Sequence, residues 1–187
     1  MKTIIDIEGF DRVGKDTLLS GLVKSFPNLQ LYRQPTSEST GIDYRDSAKF
    51  SEFLRKHYKR MISDLAGMPS ENPIILSRFL VSDAVYSSMF GRENLLEQEF
   101  ENSSMFGKVR IIPVILYWAN YEEYLKRVNS DPDSIVEYSV AEFNTIQNKF
   151  INCAGKDAIV ILVNDHDSRQ DILDRTIKQL KEINAIQ

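Results

Sequence analysis

Gly9-Phe10-Asp11-Arg12-Val13-Gly14-Lys15-Asp16-Thr17 stands directly after the apolar run Thr3-Ile4-Ile5-Asp6-Ile7. A buried strand feeding a glycine-bounded turn, with a helix at its far end, is the layout of a phosphate-binding loop. Backbone N–H groups of such a turn point into a concave nest, and the helix N-terminus adds positive potential. Gly9 and Gly14 permit backbone geometry and close approach that a β-carbon obstructs. Lys15 reaches terminal phosphates as a point charge. Residues 9–17 are therefore candidate nucleotide-binding residues, and the chain reads as a nucleotide-dependent phosphotransferase.

The pattern G-x-x-x-x-G-K-[ST] is broken at one place. Asp16 occupies the position of the Ser or Thr that holds Mg²⁺, and Thr17 follows. A carboxylate is also a hard oxygen ligand, so Asp16 is the candidate metal ligand, directly or through water.

The rest of the chain must supply a fold around this loop. Its 187 residues suit one domain, 1–187, with a sizeable core. The net charge of −4 provides no global basic field for gripping nucleic acid, although a local basic groove is compatible with it. A single cysteine, Cys153, excludes an intrachain disulfide and a cysteine-built zinc site. No apolar stretch approaches a membrane span and no signal-peptide pattern opens the chain, so the expectation is a cytoplasmic protein without membrane contact. Further strands are expected at 29–33, 73–78, 109–118 and 158–163. Helices are expected at 15–25, 47–66, 80–90, 94–105, 121–128, 140–154 and 168–183. The non-alternating run Ile111-Ile112-Pro113-Val114-Ile115-Leu116 fits a strand buried on both faces. Alternating strands and helices argue for a three-layer α/β/α fold on a five-stranded parallel sheet, with ligands beyond the carboxyl ends of its strands. Segments 34–46 and 129–138 read as functional loops, the second as a lid.

Glu8-Gly9-Phe10-Asp11-Arg12-Val13-Gly14-Lys15 resembles the first motif, E-G-x-D-x-x-G-K, of the thymidylate kinase family of P-loop kinases. Tyr32-Arg33-Gln34-Pro35-Thr36 is similar to its R-x-P segment. Residues 74–86, with Ser77-Arg78-Phe79 and Ser82, resemble its D-R-[YF]-x-x-S motif. Phe53 has the spacing to Arg78 of the family phenylalanine that stacks on thymine. The resemblance implies ATP and Mg²⁺ as cofactors. It implies Asp11 on the acceptor's 3′-hydroxyl, Arg33 on its phosphate and Arg12 on the transferring phosphoryl group. Members with the loop arginine tend to lack lid arginines, and 129–138 contains none. Family members are often dimers, so a homodimer is an expectation. Three positions depart from the pattern: Asp16, Ser77 in place of an aspartate, and His57, where many members carry an arginine that helps hold the acceptor phosphate.

Phosphoryl transfer requires positioning and charge stabilisation. Lys15, Arg12, Arg78 and Glu8 are the catalytic candidates; Asp11, Arg33, Phe53, His57 and Arg78 are the acceptor-side candidates. Several keep a plainer reading beside the functional one. Glu8 is either a base or a buried carboxylate bonded to backbone N–H groups. Phe53 is either a stacking residue or core packing on an amphipathic helix. Arg33 is a phosphate ligand or a loop cap, and Arg78 a phosphate ligand or a strand-end ion pair. Three functions are compatible with this set. The first is transfer of the ATP γ-phosphate to dTMP or a base-modified dTMP. The second, resembling a phage branch of the family, is phosphorylation of 5-hydroxymethyluracil in DNA, which makes modified DNA a partner and host cytoplasm the location. The third is a nucleotide-binding homologue without catalysis, motivated by Asp16 and Ser77.

Overall fold

The computed structural model describes residues 1–33, 47–130 and 138–186. Five parallel strands form one sheet in the order β2-β3-β1-β4-β5: β1 (Lys2–Gly9), β2 (Gln30–Leu31), β3 (Ile74–Ser77), β4 (Val109–Trp118) and β5 (Ile159–Val163). The helices are α1 (Lys15–Ser25), α2 (Ser47–Gly67), α3 (Leu80–Met89), α4 (Leu95–Glu101), α5 (Tyr121–Asn129), α6 (Val140–Ala154) and α7 (Arg169–Glu182). The expected α/β architecture with a five-stranded parallel sheet is present, and the phosphate loop leaves the central strand.

The two faces of β1 explain the layers. Ile5 and Ile7 belong to a core with Leu18 and Leu22 of α1, Leu180 of α7 and Val114 of β4. Ile4, on the opposite face, belongs to a core with Met61 and Leu65 of α2, Leu76 of β3 and Leu96 of α4. Alternation along a strand makes this division automatic. Pairing of Ile5 with both Ile75 and Ile112 fixes the register of the three middle strands.

Some boundaries differ from the sequence reading. The strand expected at 29–33 forms a ladder only at Gln30–Leu31, against Ile74 and Ile75 at the sheet edge, with the Tyr32 N–H still donating to the Ile75 carbonyl at 2.9 Å. The helix expected at 94–105 stops at Glu101. Asn102 caps it by donating from Nδ2 to the Gln98 carbonyl, and Ser103 turns the chain back onto Phe100. Helices α6 and α7 open on capping boxes, Ser139 with Glu142 and Ser168 with Asp171. Among the described residues, no helix is long and apolar enough to cross a membrane.

Candidate active site

Gly9 closes β1 with φ +132, and a β-carbon there would lie 2.3 Å from the Leu116 carbonyl oxygen. No side chain fits that approach, which lets the chain swing out of the sheet directly beside β4. Phe10 then turns inward and is buried against Tyr124, Tyr138 and Phe143, with ring centroids 5.2–5.4 Å away. This aromatic anchor ties the loop to α5, to α6 and to the end of the expected lid. Tyr138 is held in turn, its carbonyl accepting from Tyr121 Oη at 2.7 Å and its N–H donating to Tyr124 Oη at 3.1 Å.

Beyond the anchor the loop is strained where it carries charge. Arg12 has φ 63 and Gly14 has φ 99; Arg78, at the end of β3, has φ 65. Two non-glycine residues in the left-handed region are expensive features that mark functional loops. Lys15 is buried, and its Nζ donates to the carbonyls of Gly9 (2.9 Å) and Phe10 (2.7 Å), so the ammonium curls over the nest. Burial, aided by the charge of Arg78, pushes the Lys15 ammonium down to about 8. Arg78 Nη2 donates to Asp11 Oδ1 at 2.8 Å, and Tyr86 Oη lies 3.4 Å from the same oxygen. Burial pushes the Asp11 carboxyl up, but the charges of Arg78 and Lys15 outweigh it and hold it below the ordinary carboxylate range.

Arg12, Lys15, Arg78 and Arg127 share one cleft of about 300 Å³ above the loop, with Asp16 and Thr17 on its rim. Arg127, in the last turn of α5, has its guanidinium 5.9 Å from the Trp118 ring centroid. The sequence reading missed it. The available signal was the basic pair Lys126-Arg127 immediately before the expected lid.

Among the described residues, no group of three or more acidic, histidine or cysteine side chains is arranged to hold a metal on its own. Mg²⁺ in kinase sites takes one or two carboxylates and completes its shell with phosphate oxygens and water. Asp16, exposed on the first turn of α1 beside the cleft, fits that division of labour.

The acceptor-side candidates divide. Phe53 is half-buried and outside both cores. It stacks between Phe50 (6.3 Å) and His57 (5.9 Å, planes 8° apart), so its packing is a ladder of rings along α2. Burial and nearby Arg60 lower the His57 imidazole, which favours the neutral ring at neutral pH. Arg33 is exposed just past β2 and does not line the cleft. The loop 34–46, including Gln34, Pro35 and Thr36, lies outside the described residues, as do 131–137 of the lid.

Glu8 has the surroundings of the second of its two readings, a buried carboxylate bonded to backbone N–H groups. It is fully buried; Oε1 accepts from the backbone N–H of Phe79 (2.8 Å) and Ser82 (3.0 Å), and Oε2 accepts from the Ser82 hydroxyl. Both oxygens are engaged and sealed from the cleft. Glu8 satisfies the N-terminal amides of α3, which are the groups a helix leaves unpaired.

With this geometry in place, likeness to known proteins adds lineage. No family model matches the chain. A thymidylate kinase of Aliarcobacter butzleri is 28% identical over 162 residues, covering 78% of this chain and 80% of that protein. Among solved structures, a thymidylate kinase of Candida albicans superposes with a TM-score of 0.60 at 15% identity, covering 98% of this chain and 92% of that one. A thymidylate kinase of Ehrlichia chaffeensis gives 0.58 at 21% identity, covering 96% and 98%. A deoxyadenosine kinase of M. mycoides with bound dCTP gives 0.60 at 12%, covering 96% and 99%. The chain is similar in sequence to a thymidylate kinase, and its fold is that of the P-loop nucleotide kinases.

Proposed function

We propose that this protein transfers the γ-phosphate of ATP to a thymidine-like pyrimidine deoxynucleotide, dTMP or a base-modified dTMP, with Mg²⁺ bound at Asp16. The observation that carries the reading is the convergence of Arg12, Lys15, Arg78 and Arg127 on one cleft above the phosphate loop. In the transfer, an acceptor phosphate oxygen bonds to Pγ as the bond from Pγ to the bridging oxygen of ADP breaks. Charge spreads over the equatorial oxygens of the moving group, and pre-placed cations stabilise it without reorganising. Lys15 leaves the Gly9 and Phe10 carbonyls for the β- and γ-phosphates. Arg12 faces the moving phosphoryl group, Arg78 the acceptor, and Arg127 closes the side towards the lid. Mg²⁺, when bound, neutralises the β- and γ-oxygens. Asp11 holds Arg78 in place and offers its second oxygen to the acceptor's sugar hydroxyl.

A second reading shares the donor and changes the acceptor to the hydroxymethyl group of 5-hydroxymethyluracil in DNA. The neutral ring at His57 favours it, since a hydroxyl acceptor brings no free monophosphate to clamp. Such an acceptor must lose a proton. With Glu8 engaged, Asp11 and Asp16 are the carboxylates left to take it.

One experiment separates the readings. Labelled ATP is offered with dTMP and, in parallel, with duplex DNA containing 5-hydroxymethyluracil. Label in dTDP supports the first and label in DNA the second; label in neither rejects both.

Donor binding carries its own pH signature. ATP phosphates raise the proton affinity of Lys15, whereas the free protein holds it at about 8. ATP affinity is therefore expected to fall as pH rises above 8, by up to about tenfold per unit for a single linked proton. Calorimetric titrations at pH 7, 8 and 9 check this, and a flat profile would remove Lys15 from the phosphate site.

A further inference from the structure

Arg78 holds its place in the cleft on an unusual backbone. Arg12 stands in a turn bounded by Gly9 and Gly14, whereas Arg78 has Ser77 and Phe79 beside it and still takes φ 65. A left-handed arginine between two such residues persists only where its surroundings over-determine it. Strand β1 supplies those surroundings. The Arg78 N–H donates to the Ile7 carbonyl at 3.2 Å, just past the Ile7–Ser77 pair of the ladder. The next N–H, that of Phe79, donates to Glu8 Oε1 at 2.8 Å. These two N–H groups bracket the Arg78 α-carbon, and two successive residues of β1 hold them.

Glu8 is itself fixed. Oε1 also accepts from the Ser82 N–H at 3.0 Å, and Oε2 accepts from the Ser82 hydroxyl. Phe79 precedes α3 with φ −121 and has no side chain that accepts a hydrogen bond, so the acceptor comes from β1. Glu8 is fully buried, and bonds to a carboxylate away from water are stronger than those between neutral groups. From the backbone so held, the Arg78 guanidinium donates to Asp11 Oδ1 at 2.8 Å and lines the cleft.

We propose that Glu8 is a positioning residue, which holds the Arg78 backbone through the Phe79 amide and so aims the guanidinium at the acceptor. The inference rests on the reading of Arg78 as the acceptor-facing cation and goes beyond it, since Glu8 touches no substrate.

The test compares Glu8→Asp, which keeps the charge and withdraws it by one methylene, with Glu8→Gln, which keeps the reach and loses the charge. Both are made in wild type and in Arg78→Lys. kcat and KM are measured with ATP and whichever of dTMP and duplex DNA containing 5-hydroxymethyluracil takes up label. Glu8→Asp is expected to lower kcat/KM for the acceptor by about 10- to 100-fold, the scale on which misplacing a positioning group by an ångström acts, with ATP affinity unchanged. Glu8→Gln is expected to lose less. In Arg78→Lys the added loss from Glu8→Asp is expected to vanish, because the guanidinium it aims is gone. The opposite order, with Glu8→Gln the worse, gives the carboxylate a chemical role and overturns the proposal. So does a Glu8→Asp loss of equal size in both backgrounds, which is general damage. Wild-type kinetics in Glu8→Asp also overturns it and leaves the turn to the packing of the Phe79 ring on Phe100 (5.9 Å). Should Glu8→Asp not fold, Ser82→Ala releases Oε2 at constant length; it is expected to lose acceptor efficiency in wild type and not in Arg78→Lys. Wild-type protein that labels neither acceptor rejects the function proposed above, a different failure. Crystal structures then decide: Arg78 leaving Asp11 in the variant supports the clamp, and an unchanged 2.8 Å contact overturns it.

Discussion

Arg12→Gly is expected to lower the rate of phosphoryl transfer by about 10³- to 10⁵-fold, the range in which an arginine facing a moving phosphoryl group acts. The same change is expected to leave the fold intact or slightly firmer. Arg12 holds φ 63 in the loop, and a left-handed non-glycine residue costs roughly 1–2 kcal/mol. Glycine removes that strain, while its greater freedom in the unfolded chain takes back about 0.5–1 kcal/mol. The balance lies between no change and a gain of about 1.5 kcal/mol. Activity and stability therefore move apart, as expected where strain is kept for function and unlike a residue kept for packing. Arg12→Ala is the companion variant. It loses the guanidinium and keeps the strain, so it should match Arg12→Gly in rate and fall below it in melting temperature. Steady-state kinetics with the productive acceptor and thermal unfolding of the three proteins measure both quantities. Wild-type turnover in Arg12→Gly would take the residue out of the transfer step.

The comparison of Arg12 with Arg127 shows what a linear sequence carries. Arg12 is legible because its neighbours in sequence are its neighbours in space: Gly9, Gly14 and Lys15 form one turn, and one turn makes the nest. Arg127 reaches the same cleft from more than a hundred residues away, by way of β4, Trp118 and the packing of α5. Its local signal, the basic pair Lys126-Arg127 before the lid, fits a solvated helix end equally well. Glu8 teaches the converse. The sequence places it at the mouth of the loop, but only the return of β3 beside β1 brings the amides of Phe79 and Ser82 onto its oxygens. The sheet itself was readable from non-alternating apolar runs. Its edges were not: β2 leaves the ladder at Leu31 although β3 runs on to Ser77. Phe10 belongs with the hidden features. As a loop residue between Gly9 and Asp11 it reads as a spacer, and three rings from α5, α6 and the lid's end make it the anchor.

Asp6 is the place where this chain works against its own stability. It lies in the central strand, paired with Leu76 on one side and Pro113 on the other, and is fully buried. Neither carboxyl oxygen accepts a well-formed hydrogen bond from a protein donor, and the protonated acid has Glu8 as its side-chain partner. It shares a face of β1 with Glu8, two residues on, and with the apolar core around Ile4 and Leu76. Burial, and then the charge of Glu8, raise the Asp6 carboxyl well above its ordinary range, so the folded protein keeps it protonated. The unfolded chain releases that proton near pH 4. Between the two values the native state binds more protons than the unfolded one. Stability from this site is thus fully present below the unfolded value and is lost as pH rises through the folded one. Asp6→Leu removes both the unmade bonds and the titration. It is expected to stabilise the protein by about 1–3 kcal/mol at pH 7, the cost of burying a poorly hydrogen-bonded polar group. The advantage over wild type should shrink as pH falls towards 4, where Asp6 is protonated in both states. Asp6→Asn is the isosteric control, keeping a neutral group that can donate to Glu8, and it should recover part of the gain with the same pH trend. Urea midpoints for the three proteins at about pH 4.5, 6 and 8, which span the window from the unfolded ionisation upward, give the result directly. An advantage that stays constant with pH would mean that Asp6 gains no proton on folding. Loss of stability in Asp6→Leu would mean that the carboxyl has a favourable partner within the central sheet.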